Sequence, residues 1–242
     1  MRNFNGKRYW LIGASEGLGE ALARKMSASG TELILSARDE TKLKAIVEAL
    51  PNKATALSCD VGSQRSVDSA FSQLRDIDGV VYLAGVYWPM PATEWKSVEA
   101  VKMVDINLTG AMRTLGPVVE KFLERDQGHV VITGSLVGFR GLPRSIGYTA
   151  SKAGLMTLAE SMYYDLRKTG ILVQMVNPGY IKTRLTDKNK FKMPMIMEPE
   201  AAAEVMFQHM KTDSFSKSFP WPLSTLFRIG PLLPSWVYYR LY

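Results

Sequence analysis

Tyr148 and Lys152 stand four residues apart in Tyr148-Thr149-Ala150-Ser151-Lys152, and Ser135 lies thirteen residues upstream of the tyrosine. On a helix, positions i and i+4 share one face, so the phenol and the ammonium project side by side. A neighbouring cation favours the phenolate and draws a tyrosine pKa from about 10 toward neutrality. A tyrosine tuned in that way gives a proton to a carbonyl oxygen, or takes one from an alcohol, near neutral pH. Alone, Tyr-x-x-x-Lys occurs by chance on any long helix. Its meaning depends on what else the chain carries.

The N-terminal region carries a second constellation. Arg8-Tyr9-Trp10-Leu11-Ile12 reads as a short buried strand, followed by Gly13-Ala14-Ser15-Glu16-Gly17-Leu18-Gly19 and then by the helix formers Glu20-Ala21-Leu22-Ala23-Arg24-Lys25-Met26. Strand, glycine-rich turn and helix make the phosphate-cradling unit of a nucleotide-binding α/β fold. Glycines allow the tight turn, and the helix N-terminus offers free N–H groups to a pyrophosphate. The spacing is G-x-x-x-G-x-G and not G-x-G-x-x-G, and either pattern alone is a weak signal.

Taken together, Gly13, Gly17 and Gly19 with Asn107, Ser135, Tyr148 and Lys152 resemble the classical short-chain dehydrogenase/reductase family over about residues 7–211. Cys59-Asp60-Val61, Asn177-Pro178-Gly179 and Thr183 add matches in the same order. The resemblance implies a Rossmann-like, doubly wound parallel sheet in a single three-layer α/β/α domain. It implies interconversion of a carbonyl and an alcohol by hydride transfer, with Tyr148 as general acid in reduction and general base in oxidation. Lys152 would lower the tyrosine pKa and bind the nicotinamide ribose. Ser135 would donate to the substrate oxygen, and Asn107 would hold a water linking the lysine to solvent.

The same resemblance assigns a cofactor path. Gly13, Ser15, Gly17, Leu18 and Gly19 form the phosphate turn, Asp60 and Val61 meet adenine, and Ala84 and Gly85 meet the adenosine ribose. Pro178, Gly179, Ile181 and Thr183 hold the nicotinamide end. NAD-specific relatives place a carboxylate after the second strand to bind the ribose 2′-OH. Here Leu35-Ser36-Ala37 leads to Arg38, which favours NADP (NADPH) over NAD, although Asp39 follows at once. Two positions depart from the family: Ile12 replaces a threonine before the first glycine, and Leu83 replaces an asparagine before Ala84-Gly85. An aliphatic pair can substitute for a polar tie without leaving a buried group unsatisfied.

With 242 residues and 46% hydrophobic content, the chain can bury one substantial core. A lone cysteine, Cys59, excludes an intrachain disulfide, and the N-terminal Met-Arg-Asn-Phe-Asn-Gly-Lys lacks the apolar run of a signal peptide, so the expected compartment is the cytoplasm. The formal charge of +7 favours anionic partners, yet no basic-aromatic stripe marks a nucleic-acid surface. His129 and His209 have no partner at metal-ligand spacing, so structural roles are expected and no metal.

Strand signals at Tyr9–Ile12, Glu32–Ser36, Ala54–Ser58, Gly79–Leu83, His129–Thr133 and Leu172–Val176 alternate with helical ones at Glu40–Leu50, Gln64–Leu74, Val98–Glu124, Tyr148–Arg167 and Pro199–Lys211. Met193-Pro194-Met195-Ile196-Met197 suits either an adaptable hydrophobic lip or plain packing. In relatives the helices bearing Asn107 and Tyr148 form a homodimer, for which Met103, Ile106, Met112, Leu115, Leu158 and Met162 offer apolar surface.

Residues 1–219 read as the catalytic domain and 220–242 as an aromatic, proline-rich tail that departs from the glycine-rich ending common in the family. Prolines 220, 222, 231 and 234 with Arg228 rule out a bilayer span in the tail. Its Trp, Tyr and Arg content suits a peripheral membrane contact, a subunit contact or a cover over the cleft. Two further readings stand beside the reductase: a catalytically quiet nucleotide-binding or scaffold protein, and a membrane-peripheral enzyme acting on a lipid-like carbonyl.

Overall fold

Tyr9 and Leu11 face one side of their strand and Trp10 and Ile12 the other, and all four are buried. A strand apolar on both faces must be covered on both, as in parallel sheets sandwiched by helices. The computed structural model, which describes residues 1–189 and 191–240, has that architecture. Seven parallel strands are β1 (Arg8–Ile12), β2 (Glu32–Ala37), β3 (Ala54–Ser58), β4 (Gly79–Tyr82), β5 (Gly128–Thr133), β6 (Ile171–Pro178) and β7 (Ser216–Phe219). Their order is β3-β2-β1-β4-β5-β6-β7. The reversal between β1 and β4 opens a crevice at the carboxyl ends of the strands.

Helices α1 (Gly17–Ala28), α2 (Glu40–Glu48) and α7 (Pro199–Met210) accompany one face, where Tyr9 and Leu11 join Leu22, Met26, Leu43, Met206 and Phe207 in a core. Helices α3 (Gln64–Ser72), α5 (Gly110–Glu124) and α6 (Ile146–Leu166) cover the other, where Trp10 and Ile12 meet Val67, Leu115, Phe122 and Leu155. Helix α4 (Ser97–Val104) packs on α6. Buried His129, at the head of β5, bonds Tyr9 Oη through Nδ1 and Gln174 through Nε2, both at 2.8 Å. Burial pulls its pKa down to about 3, so it is a neutral cross-strand tie.

Three expectations change. The helix expected over Val98–Glu124 is divided: a π-helical turn, Asp105–Thr109, separates α4 from α5. Met103, Ile106 and Leu115, expected to face a partner, are buried in the chain's own cores, whereas Met112 is exposed. The C-terminal segment, part of which (Leu241 and Tyr242) lies outside the described residues, forms α8 (Leu223–Ile229), a single 3-10 turn (Gly230–Leu232) and α9 (Ser235–Tyr238). Among the described residues, no helix is long and apolar enough to cross a membrane.

Candidate active site

The strand ends converge on a cleft of about 540 Å³. Its floor is the β1–α1 turn. Gly13 has φ +94°, and a Cβ there would lie 2.5 Å from Ala84 N; Gly17 has φ +56°, and a Cβ there would lie 2.8 Å from Thr183 Cγ2. Both positions therefore demand glycine, for conformation and for space. Helix α1 opens at Gly17 with no side-chain cap on its first N–H groups, which face the cleft as an anion site.

Every sequence-predicted cofactor residue except Asn107 lines this one cleft, including Asp60, Val61, Ala84, Gly85, Pro178, Gly179 and Ile181. Arg38 and Lys42 border its outer end, with Glu16 between Arg184 at 2.7 Å and Lys42 at 3.8 Å. Asp39 also borders this end, and one oxygen of its carboxylate accepts from Lys42 N at 3.1 Å and caps α2. Thr133 Oγ1 also borders the cleft, buried and without a hydrogen-bond partner among the described residues. Glycine cradle, flanking cations and uncommitted polar group all fit a nicotinamide dinucleotide. Cys59 borders the same region as a buried thiol whose pKa burial and Asp60 push up to about 11.

Ser135 follows β5 in an extended conformation (φ −169°) and its Oγ accepts from Val137 N at 3.4 Å, starting a short 3-10 turn, Leu136–Phe139. Tyr148 and Lys152 come from the first turns of α6, where the i, i+4 relation places both in the cleft. Ser135 hydrogen-bonds the Tyr148 hydroxyl, which favours the phenolate. Desolvation outweighs that bond, and the Tyr148 pKa is pushed up to about 12. The expected lowering by Lys152 is not realised here. Its Nζ lies 5.9 Å from the Tyr148 ring centroid and donates to Thr133 O at 2.8 Å, while burial pulls its own pKa down to about 8.

Asn107 sits behind the cleft and occupies the π-helical turn. Val86 N donates to its Oδ1 at 2.8 Å, its Nδ2 donates to Val86 O at 3.1 Å, and Nδ2 also reaches Ser151 Oγ at 2.9 Å. In this structure its amide clamps the loop after β4, a role the sequence reading did not anticipate.

An aromatic wall stands next to Tyr148 and the Gly179–Ile181 turn, just outside the lining of the cleft itself. The Tyr87 ring stands edge-on to Tyr148 with centroids 4.9 Å apart. Tyr87 Oη donates to Asn189 Oδ1 at 3.0 Å, and Lys188 Nζ donates to Tyr87 O at 2.6 Å while lying over the Trp88 ring. Tyr180 and Phe191 pack edge-to-face at 5.9 Å. Beyond them Met195 and Ile196 are exposed, whereas Met197 packs against the core. The reading missed this wall because it is assembled from loops far apart in the chain. Tyr87-Trp88, directly after Ala84-Gly85-Val86, is the one local signal that could have pointed to it.

Comparison with known proteins bears on this arrangement. Residues 7–193 match the family described as short chain dehydrogenase. An uncharacterized oxidoreductase of Myxococcus xanthus (strain DK1622) is 34% identical over 234 residues, 93% of this chain and 92% of its own. The 3-oxoacyl-acyl-carrier-protein reductase of Rickettsia prowazekii (strain Madrid E) is 32% identical over 188 residues, 78% of each chain. A solved short-chain dehydrogenase from Sphingobium yanoikuyae, in complex with NADPH, shares the fold with a TM-score of 0.83 at 22% identity, covering 91% of each chain. The chain belongs to the short-chain dehydrogenase family and is an oxidoreductase of that family.

Proposed function

We propose that the protein is an NADP(H)-dependent oxidoreductase that interconverts a hydrophobic carbonyl compound and its alcohol. The observation that carries this reading is the convergence of Ser135, Tyr148 and Lys152 on the glycine-lined cleft. A bound nicotinamide cofactor supplies or accepts the hydride, which no protein side chain carries. Tyr148 Oη delivers the proton to the carbonyl oxygen in reduction and removes it from the alcohol in oxidation. Ser135 Oγ donates to the same oxygen as negative charge develops on it. Lys152, presented from α6 beside the tyrosine, binds the ribose hydroxyls and re-supplies the proton.

Arg38 supports NADP over NAD. It borders the cleft with Lys42 where a 2′-phosphate would lie, and of the carboxylates at that end Asp39 caps α2 through one oxygen while Glu16 is ion-paired with Arg184. The wall of Tyr87, Trp88, Tyr180 and Phe191 supports an apolar substrate. A homodimer through α4, α5 and α6 is supported by exposed Val98, Val101, Met112 and Tyr164 on those helices. Carbonyl-dependent loss of NADPH absorbance tests the reading, screened from small aldehydes to long-chain and cyclic ketones. Cofactor binding with no turnover on any carbonyl or alcohol would favour the catalytically quiet alternative.

A further inference from the structure

We propose that residues 220–240 form a lipid-docking face that seats the protein on an anionic bilayer beside the mouth of its own cleft. The position relative to catalysis rests on the function proposed above; the lipid contact does not.

The inner side of the segment is fastened to the catalytic domain. Leu223 and Tyr238 are buried, and Tyr238 Oη donates to Gly141 O at 3.0 Å. Arg140 is the main clamp. Its guanidinium donates to Gly230 O at 2.6 Å and Leu233 O at 2.8 Å, reaches Ser235 Oγ at 3.2 Å, and lies 4.1 Å from the Tyr238 ring centroid. Such a segment is a fixed layer of the fold, and its outer face is preformed.

That outer face is apolar. Trp221, Leu226, Ile229, Leu232, Trp236 and Tyr239 are all exposed, Leu232 at 81% and Trp221 at 78%. Single exposed apolar residues are ordinary; six within nineteen residues of chain, with indoles among them, mark an interaction surface.

Charge selects the occupant. Arg228 and Arg240 flank the apolar residues, and from Ser214 to the end of the chain there is no Asp or Glu. A second copy docking through the same face would set basic against basic with no acid in the segment to pair. An anionic headgroup layer complements the arginines, and indole and phenol rings suit the boundary between headgroups and acyl chains. The pieces α8 and α9, seven and four residues long, can rest in that boundary and cannot cross it.

The inner side of the segment also adjoins the cleft. A Cβ on Gly179 would lie 3.2 Å from both Leu223 Cδ2 and Pro220 Cδ and 3.3 Å from Leu136 Cδ1. The docking segment thus begins against the Pro178-Gly179 turn of the cleft, and α8 packs on the 3-10 turn that follows Ser135. Seated there, the protein would take its apolar carbonyl compound from the membrane with little passage through water.

Full-length protein is mixed at low ionic strength with vesicles of phosphatidylcholine, or of phosphatidylcholine with phosphatidylglycerol, and sedimented. The protein should pellet with the anionic vesicles and stay in solution with the neutral ones, and salt should release it. Replacing the arginines (R228Q with R240Q) should weaken vesicle affinity about thirtyfold. A second double variant, L232S with W236S, changes only exposed side chains and should weaken it at least tenfold, with an unchanged circular dichroism melt. Absence of binding at low salt overturns the proposal, as does binding that neither double variant weakens. So does an oligomer that L232S with W236S dissociates while vesicles are ignored, since that assigns the face to a second copy. Reduction of a small soluble carbonyl by NADPH, followed in the same preparations, separates failure of the enzymatic reading from failure of the lipid contact.

Discussion

Asn107 holds the backbone of Val86 from both sides, accepting from its N–H at 2.8 Å and donating to its C=O at 3.1 Å. The pairing joins the π-helical turn, Asp105–Thr109, to the loop after β4, which carries Ala84 and Gly85 on one flank and Tyr87 on the other. A single buried amide thus fixes both this stretch of the cleft lining and the aromatic ring that stands against Tyr148. Asn107→Leu would leave both Val86 groups unpaired and should cost about 2–4 kcal/mol of stability. Asn107→Asp keeps the acceptor for Val86 N–H but sets a second acceptor oxygen against Val86 O in a buried site, so it should not restore wild-type stability. Urea unfolding of the two variants beside wild type measures both losses. Equal stability of Asn107→Leu and wild type would mean that the clamp is not formed in solution.

Tyr82 supports the same turn from below. Its buried hydroxyl donates to Ile106 O at 2.6 Å, one residue before Asn107. Tyr82→Phe deletes this buried hydrogen bond and should lower stability by about 1 kcal/mol. A thermal melt measures the loss. NADPH turnover should fall through displacement of Asn107, without any change in its pH profile, because Tyr82 touches no reacting atom.

These two residues show why the sequence was legible in some places and silent in others. The six expected strands all form, with ends shifted by no more than a residue or two at most boundaries, because a doubly covered parallel strand must be a short apolar run between breakers. The seventh, Ser-Lys-Ser-Phe, is a short edge strand with too few apolar residues to declare itself. The π-helical turn escapes a sequence reading because its residues remain helical and a single wide turn only shifts the phase of the apolar face. Glycines 13 and 17 were legible because backbone geometry forbids other residues there. The aromatic wall and the Arg140 clamp were not, because they depend on contacts between distant loops.

Tyr148→Phe removes the transferable proton and almost no volume. If Tyr148 is the general acid, kcat for carbonyl reduction should fall by about 10²–10⁴-fold with NADPH affinity nearly unchanged. Steady-state rates together with NADPH fluorescence titration separate the two effects. A variant that retains most of its kcat would remove Tyr148 from the mechanism.

Arg38→Asp replaces a phosphate partner with a ribose acceptor. The charge-assisted contact is worth about 1.5–3 kcal/mol, so the NADPH-to-NADH ratio of kcat/KM should fall by about ten- to a hundredfold. An unchanged ratio would place the 2′-phosphate on other groups, with Lys42 the next candidate at that end of the cleft.

Lys152 makes stability depend on pH in a direction opposite to that of a salt-bridged lysine. Burial lowers its pKa from 10.5 to about 8, and its hydrogen-bond acceptor, Thr133 O, is uncharged. Below pH 8 both folded and unfolded chains carry the proton, and the folded chain bears the full cost of burying the charge. Between about 8 and 10.5 the unfolded chain binds more protons at this site, so its contribution to stability rises with pH. Over the whole interval the gain approaches about 3 kcal/mol. Lys152→Met removes the titration. The urea stability of wild type minus that of the variant, measured at pH 7.5, 8.5 and 9.5, should therefore become steadily more favourable to wild type. A difference that is flat across the series would mean that Lys152 stays charged in the folded protein, with its ammonium solvated or paired more strongly than by the Thr133 carbonyl alone.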